Sequence, residues 1–149
     1  MPRFFTLAQA ERALPGVEKA LRELLRHRDE HQRADGEFQA FTRNIMMMGG
    51  TIVDHSRINS IQARKEESLT ALKRKFEEIQ EAGVLIKDPD SGLIDFPTLY
   101  KDQEVYLCWR FGESAIAYWH AVEDGFRGRK RIDQEFLSHH RGDDPTDRD

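Results

Sequence analysis

Two long runs of helix-compatible sequence, separated by the adjacent glycines Gly49 and Gly50, constrain the fold of this chain more than any other feature. Before the glycines, Val17, Leu21, Leu24, Phe38, Phe41, Ile45 and Met48 recur close to a seven-residue repeat, the spacing that puts apolar side chains on one seam of a helix. After them, Ile52, Ile58, Ile61, Leu69, Leu72, Phe76 and Ile79 do the same. Paired glycines favour the left-handed conformation that ends a helix. The pattern predicts helices over about 16–48 and 51–82, each about 48 Å long at 1.5 Å per residue. A turn this short leaves only an antiparallel hairpin. A shorter helix precedes it, capped by Thr6 with Gln9 three residues on, a Thr-x-x-Gln capping box. Pro15 suits the first turn of a helix better than its interior, so the sequence predicts a break at Leu14-Pro15.

The middle of the seam is polar. Arg28, His31 and Asp35 stand where the first helix should be apolar, and Asn59, Gln62 and Glu66 stand opposite. Buried without partners, such groups would cost several kcal/mol. They pair with one another, meet water, or are covered by a second subunit, and a layer that fixes register is the favoured reading.

From Gly83 the period changes to that of strands. Val84 to Asp88 and Leu93 to Pro97 flank Asp88-Pro89-Asp90-Ser91-Gly92, a strong turn sequence. Glu104 to Arg110 and Ala115 to His120 flank Phe111-Gly112-Glu113-Ser114. With a four-residue loop, Val105, Leu107, Trp109, Ile116, Tyr118 and His120 share one face, and Tyr106, Cys108, Arg110, Ala117 and Trp119 the other. The expected fold is α+β: a short N-terminal helix, a long antiparallel helical hairpin and a small antiparallel sheet of two hairpins. It forms one domain over 1–137, helical over 4–82 and β-rich over 83–137, with a disordered tail over 138–149. The polar seam and a sheet apolar on both faces point to a homodimer.

Composition narrows the function classes. With 34% charged and 38% hydrophobic residues, the chain suits long exposed helices. The formal charge of −4 argues against bulk binding to nucleic acid or anionic membrane. One cysteine, Cys108, permits no intrachain disulfide, which fits a reducing compartment. The sequence shows neither a signal-peptide run nor a membrane span, so a cytoplasmic location is expected.

Several strings resemble one family: Gly83-Val-Leu-Ile-Lys-Asp, Gly92-Leu-Ile-Asp-Phe-Pro, Val105-Tyr-Leu-Cys-Trp-Arg-Phe-Gly-Glu, Ile116-Ala-Tyr-Trp-His and Gly125-Phe-Arg-Gly-Arg. Together with the Phe-Thr-Leu opening, Leu14-Pro15 and the Met-Gly-Gly hairpin tip with Val53-Asp54, they look like domain of unknown function 2203. That family comprises uncharacterised bacterial and archaeal proteins. The likeness covers about residues 4 to 137; Arg131 departs from it, standing where the family has proline. The resemblance supports the fold and implies no activity or cofactor.

The chemistry-bearing residues cluster near the second hairpin. Arg110, Glu113, Tyr118, Trp119, His120, Arg127 and Arg129 form the candidate ligand site. Arginines capture carboxylate or phosphate bidentately, aromatic walls exclude water, and His120 titrates near neutrality. The competing reading is an amphipathic sheet with a capped terminal histidine and a structural Arg110–Glu113 pair. A metal set drawn from His120, Glu123 or Asp124, Cys108 and Asp95 has suitable ligand types but no enforcing spacing. Asp88-x-Asp90-x-Gly92 reads as a turn, because the twelfth position of a calcium loop falls on Leu99. His27-Arg28-Asp29-Glu30-His31 matches the H-x-x-E-H pattern but is charged all round, as a solvated helix is. The basic run from Arg127 to Arg131 lacks interleaved aromatics and reads as a salt-bridging turn. Cys108, mid-strand between Leu107 and Trp109, reads as buried and inert. The leading function is a non-enzymatic protein binding a small anionic ligand or a protein partner; the rivals are a metal-assisted hydrolase using His120 and a helical adaptor.

Overall fold

In the computed structural model of the protein, which describes residues 3–49 and 54–143, helix α1 runs unbroken through Leu7–Met47 and α2 through His55–Glu81. Thr6 and Gln9 make the capping box: the Gln9 amide donates to Thr6 Oγ1 at 3.1 Å, and the Thr6 amide to Gln9 Oε1 at 2.9 Å. The expected break at Pro15 does not occur, and Pro15 lies inside α1. Proline forfeits one backbone hydrogen bond there. However, the buried stripe Ala10, Leu14, Val17 and Leu21 continues across it at spacings of four, three and four, and Pro15 itself is exposed. One packed stripe therefore overrides the local preference. The hairpin turn expected at Gly49-Gly50, and the expected helix start at Thr51, fall mostly on residues 50–53, outside the described residues. Gly49 adopts the left-handed φ of 73°. Asp54 caps α2 by accepting from the Arg57 amide at 3.0 Å.

The described residues form two compact units, Arg22–Phe76 and Met1–Leu21 with Glu77–Asp149, and both helices contribute to each. In the first unit the pairs Glu23–Lys75, Asp35–Lys65 and Glu37–Arg64 descend one helix as they climb the other, so the helices are antiparallel. Within the polar layer of the seam, Lys65 pairs with Asp35 at 2.8 Å and His31 Nδ1 donates to the Lys65 carbonyl at 3.1 Å, whereas Asn59, Gln62 and Glu66, expected opposite, are exposed. Lys65 stands next to Glu66 in the sequence, on the side of α2 that the heptad pattern did not assign to the seam. Phe76, expected inside, is 42% exposed. Gly36 sits mid-helix with open space where a Cβ would go. Gly36→Ala is expected to raise stability by about 0.5–1 kcal/mol, measured as a higher urea midpoint at unchanged slope.

The second unit carries one antiparallel sheet. Its strands β1 (Leu85–Asp88), β2 (Leu93–Tyr100), β3 (Gln103–Trp109), β4 (Tyr118–Ala121) and β5 (Lys130–Arg131) follow in spatial order, and β6 (His140–Arg141) pairs with β2. The expected turn joins β1 to β2, with Asp88 accepting from Asp90 N and Ser91 Oγ. Gly92 is required there: its φ is 70°, and a Cβ would meet the Phe111 ring at 2.1 Å. Strand β2 continues past Pro97 into a two-residue turn, where Lys101 and Asp102 both take positive φ. The two expected hairpins are thus one continuous sheet.

Two expectations fail here. The second hairpin pairs Tyr106 with His120 and Cys108 with Tyr118, one residue away from the register of a four-residue loop. The connection is longer because the Ile116 amide is taken by Glu11 at 3.0 Å and Ile116 packs into the core. A one-residue slip moves each side chain to the opposite face, so Tyr118 and His120 join Tyr106 and Cys108, while Trp119 joins Leu107. The C-terminal segment is also ordered as far as Asp143. Helix α3 (Gln134–His139) is capped by Asp133, and buried Phe136 stacks on Tyr100 and Trp119. His140 accepts from the Leu7 amide at 3.0 Å, supplying one of the acceptors the first turn of α1 needs. Residues 144–149 of the expected tail lie outside the described residues.

Candidate functional site

The register of β4 decides which side chains meet. On the face now shared by Cys108 and His120, neighbouring β2 contributes Asp95, which lies opposite Cys108. Asp95, Cys108 and His120 are 1%, 1% and 3% exposed. One ligand-type atom from each, carboxylate oxygen, thiol sulfur and imidazole nitrogen, lies within 4.8 Å of the other two. Among the described residues this is the one group of three such side chains.

Hydrogen bonds fix the histidine. Its Nδ1 lies 2.8 Å from the Ala121 carbonyl, which only accepts, so Nδ1 carries a proton. Nε2 then faces both oxygens of Asp95, at 3.1 Å each. Orientation by a backbone carbonyl, with the other nitrogen directed at a carboxylate, matches the outer-shell support of histidine ligands in metal sites. Burial raises the Asp95 carboxyl above the ordinary carboxylate range, and the facing His120 opposes that rise. Burial likewise pushes the Cys108 thiol up to about 12, with the Asp95 charge adding to it.

These values give a pH prediction for the metal-free protein. Above pH 9, the ordinary thiol pKa, the unfolded chain loses the Cys108 proton while the folded chain keeps it. Stability should therefore fall with rising pH at about 1.4 kcal/mol per unit until the folded thiol titrates near 12. Urea unfolding across this range should show the slope in the difference between wild type and Cys108→Ala. The same burial argues against a nucleophilic thiol, because neither nitrogen of His120 is placed to take its proton.

The residues proposed from sequence divide into three groups. His120 and Asp95 come together with Cys108. Glu113 and Arg129 form a second pair beside them: Arg129 grips Glu113 bidentately at 3.0 and 2.7 Å. Its guanidinium lies 3.9 Å from the Tyr118 ring centroid and 4.4 Å from that of Phe126, and Nη1 reaches Cys108 Sγ at 3.9 Å. The partner expected for Glu113 was Arg110, which is exposed and instead lies over Phe126 at 4.8 Å. Glu113 still accepts from the Arg110 backbone amide at 2.8 Å. The third group does not join the cluster. Trp119 lies on the opposite face against Tyr100 and Phe136, and Arg127 is exposed. Glu123 lines a groove over Asp95 and His120 but is not within the three-ligand group. In the other unit, His27 lies 3.8 Å from Glu30 and His31 is committed to a backbone carbonyl, so the H-x-x-E-H string does not gather ligands.

The groove has a volume of about 250 Å³ and also includes Lys87 and Phe126. Lys87 was not singled out from the sequence; only its place on β1, two strands from β3, could have flagged it. No helix among the described residues is long and apolar enough to cross a membrane. Residues 3–132 match the family described as an uncharacterized conserved protein (DUF2203). No curated protein and no solved structure matches the chain.

Proposed function

The chain belongs to the DUF2203 family of uncharacterized conserved proteins, and we propose that it binds one divalent transition-metal ion of the zinc class at Asp95, Cys108 and His120. One observation carries the reading: a carboxylate, a thiol and a carbonyl-oriented imidazole lie buried within 4.8 Å of one another on three adjacent strands. Zinc takes this donor set, and three protein ligands leave a coordination position for an exchangeable ligand. That arrangement refines the ligand-binding role read from the sequence: the ligand is held at a metal rather than by free arginines. Asp95 and a thiolate together neutralise a divalent charge, so a buried ion is electrostatically tolerable.

The test is zinc titration of metal-free protein by calorimetry with a chelator as competitor. One zinc per chain is expected, with affinity reduced by two or more orders of magnitude in Cys108→Ser and in His120→Ala. Wild-type protein that takes up no zinc would leave the cluster as a buried polar brace. Equal uptake by both variants would place the ion elsewhere.

A further inference from the structure

We infer that the exchangeable ligand of this metal site is a small monocarboxylate with a short apolar tail, held between the metal and the Lys87 ammonium. The inference rests on the metal reading and extends it to the class of ligand. It starts from the charge of the groove. A divalent ion with the Asp95 carboxylate, the Cys108 thiolate and a neutral His120 has no net charge. Lys87 then supplies the one positive charge among the groove's lining residues.

Its ammonium is available. Lys87 is exposed, its ammonium lies 5.0 Å from the centroid of the Tyr106 ring, and no ion pair occupies it among the described residues. It lines the same groove as Asp95 and His120. An oxyanion at the open metal position would therefore have a cation within reach of its second oxygen, as a carboxylate requires.

The rest of the lining selects among anions. Glu123 and Asp124 stand at the same groove, so a dianion meets two like charges where a monoanion meets the same repulsion at half strength. Leu93, Val122 and Phe126 form an apolar wall, and Val122 and Phe126 are 48% and 37% exposed. Large apolar side chains left open beside a polar centre mark a ligand surface. Phe126 is held in place by Arg110 and Arg129, which contact its ring at 4.8 and 4.4 Å. A cavity of about 250 Å³ admits a short chain and excludes a large one.

The experiment uses the full chain loaded with cobalt(II), whose visible absorption reports on the ligand at the open position. Wild type is titrated with butyrate, acetate and inorganic phosphate, and Lys87→Met with butyrate. Butyrate should change the spectrum saturably and bind more tightly than acetate, by about fourfold for each methylene buried. Phosphate should bind more weakly than either. Lys87→Met should weaken butyrate about fivefold, at the upper end of what the loss of one exposed ion pair costs. A cobalt spectrum indifferent to butyrate, tighter binding of phosphate, or unchanged affinity in Lys87→Met would each overturn the inference while leaving the metal site standing. If no cobalt spectrum forms, the metal reading fails, and this inference with it.

Discussion

Phe136→Ala is expected to lower folding stability by about 3–5 kcal/mol, the range for removing a fully buried aromatic ring. Phe136 is 0% exposed. Its ring lies 4.7 Å from Tyr100, 5.0 Å from Trp119 and 5.3 Å from His140, near-parallel to each. Those neighbours tie the sheet to the C-terminal segment, and His140 in turn accepts from the first amide of α1. Truncating the ring would leave a cavity under β2 and β4 and loosen the histidine that caps α1. The effect should exceed the lost burial alone, because an unfilled acceptor leaves a helix-end donor without its partner. Urea unfolding followed by circular dichroism checks it. Phe76→Ala, at a ring that is 42% exposed, is the comparison and should cost less than about 1 kcal/mol. Equal costs at the two positions would contradict the packing described for the C-terminal segment.

The second large effect is expected at Asp95. In the metal-free protein, Asp95→Ala removes the group that both the His120 imidazole and the Cys108 thiol face. Taking one partner from a buried charged pair costs about 3–5 kcal/mol when the other charge stays uncompensated. His120 keeps its bond to the Ala121 carbonyl, so the low end of that range, about 3 kcal/mol, is expected. A double-mutant cycle with His120→Ala separates the pair from the general loss of packing. A coupling energy near zero would mean that the two residues are merely neighbours.

Much of the architecture was legible in the chain. The capping box at Thr6 and Gln9, the turn from Asp88 to Gly92 and the two long helices all rest on local chemistry or on a period repeated over many residues. Such signals survive averaging. The failures share a different cause. Pro15 was read by its own preference, whereas the stripe of Ala10, Leu14, Val17 and Leu21, spread over three turns, determines the helix. The register of β4 depends on Glu11, more than a hundred residues earlier, which takes the Ile116 amide. Nothing near Ile116 announces that partner.

The candidate site shows the consequence. Asp95, Cys108 and His120 were each recognisable as ligand types, but their convergence depended on a one-residue register that the loop sequence could not specify. With the loop read one residue short, His120 pointed away from Cys108, and the arginines became the more attractive cluster. The corrected register brings together the acid, the thiol and the imidazole, and turns Arg129 and Glu113 into the wall beside them. Residues 138–143 read as the start of a tail because their composition is that of one. His140, bonded to the Leu7 amide and stacked on Phe136, anchors them, and it is part of no periodic pattern.

Zinc-edge X-ray absorption of zinc-loaded protein reads out the ligands of the proposed metal site directly. One sulfur scatterer is expected at roughly 2.3 Å with the remaining ligands nitrogen or oxygen at roughly 2.0–2.2 Å, and the sulfur shell should be lost in Cys108→Ser. A zinc shell made entirely of nitrogen and oxygen in the wild type would contradict it, because Cys108 would then stand outside the coordination sphere.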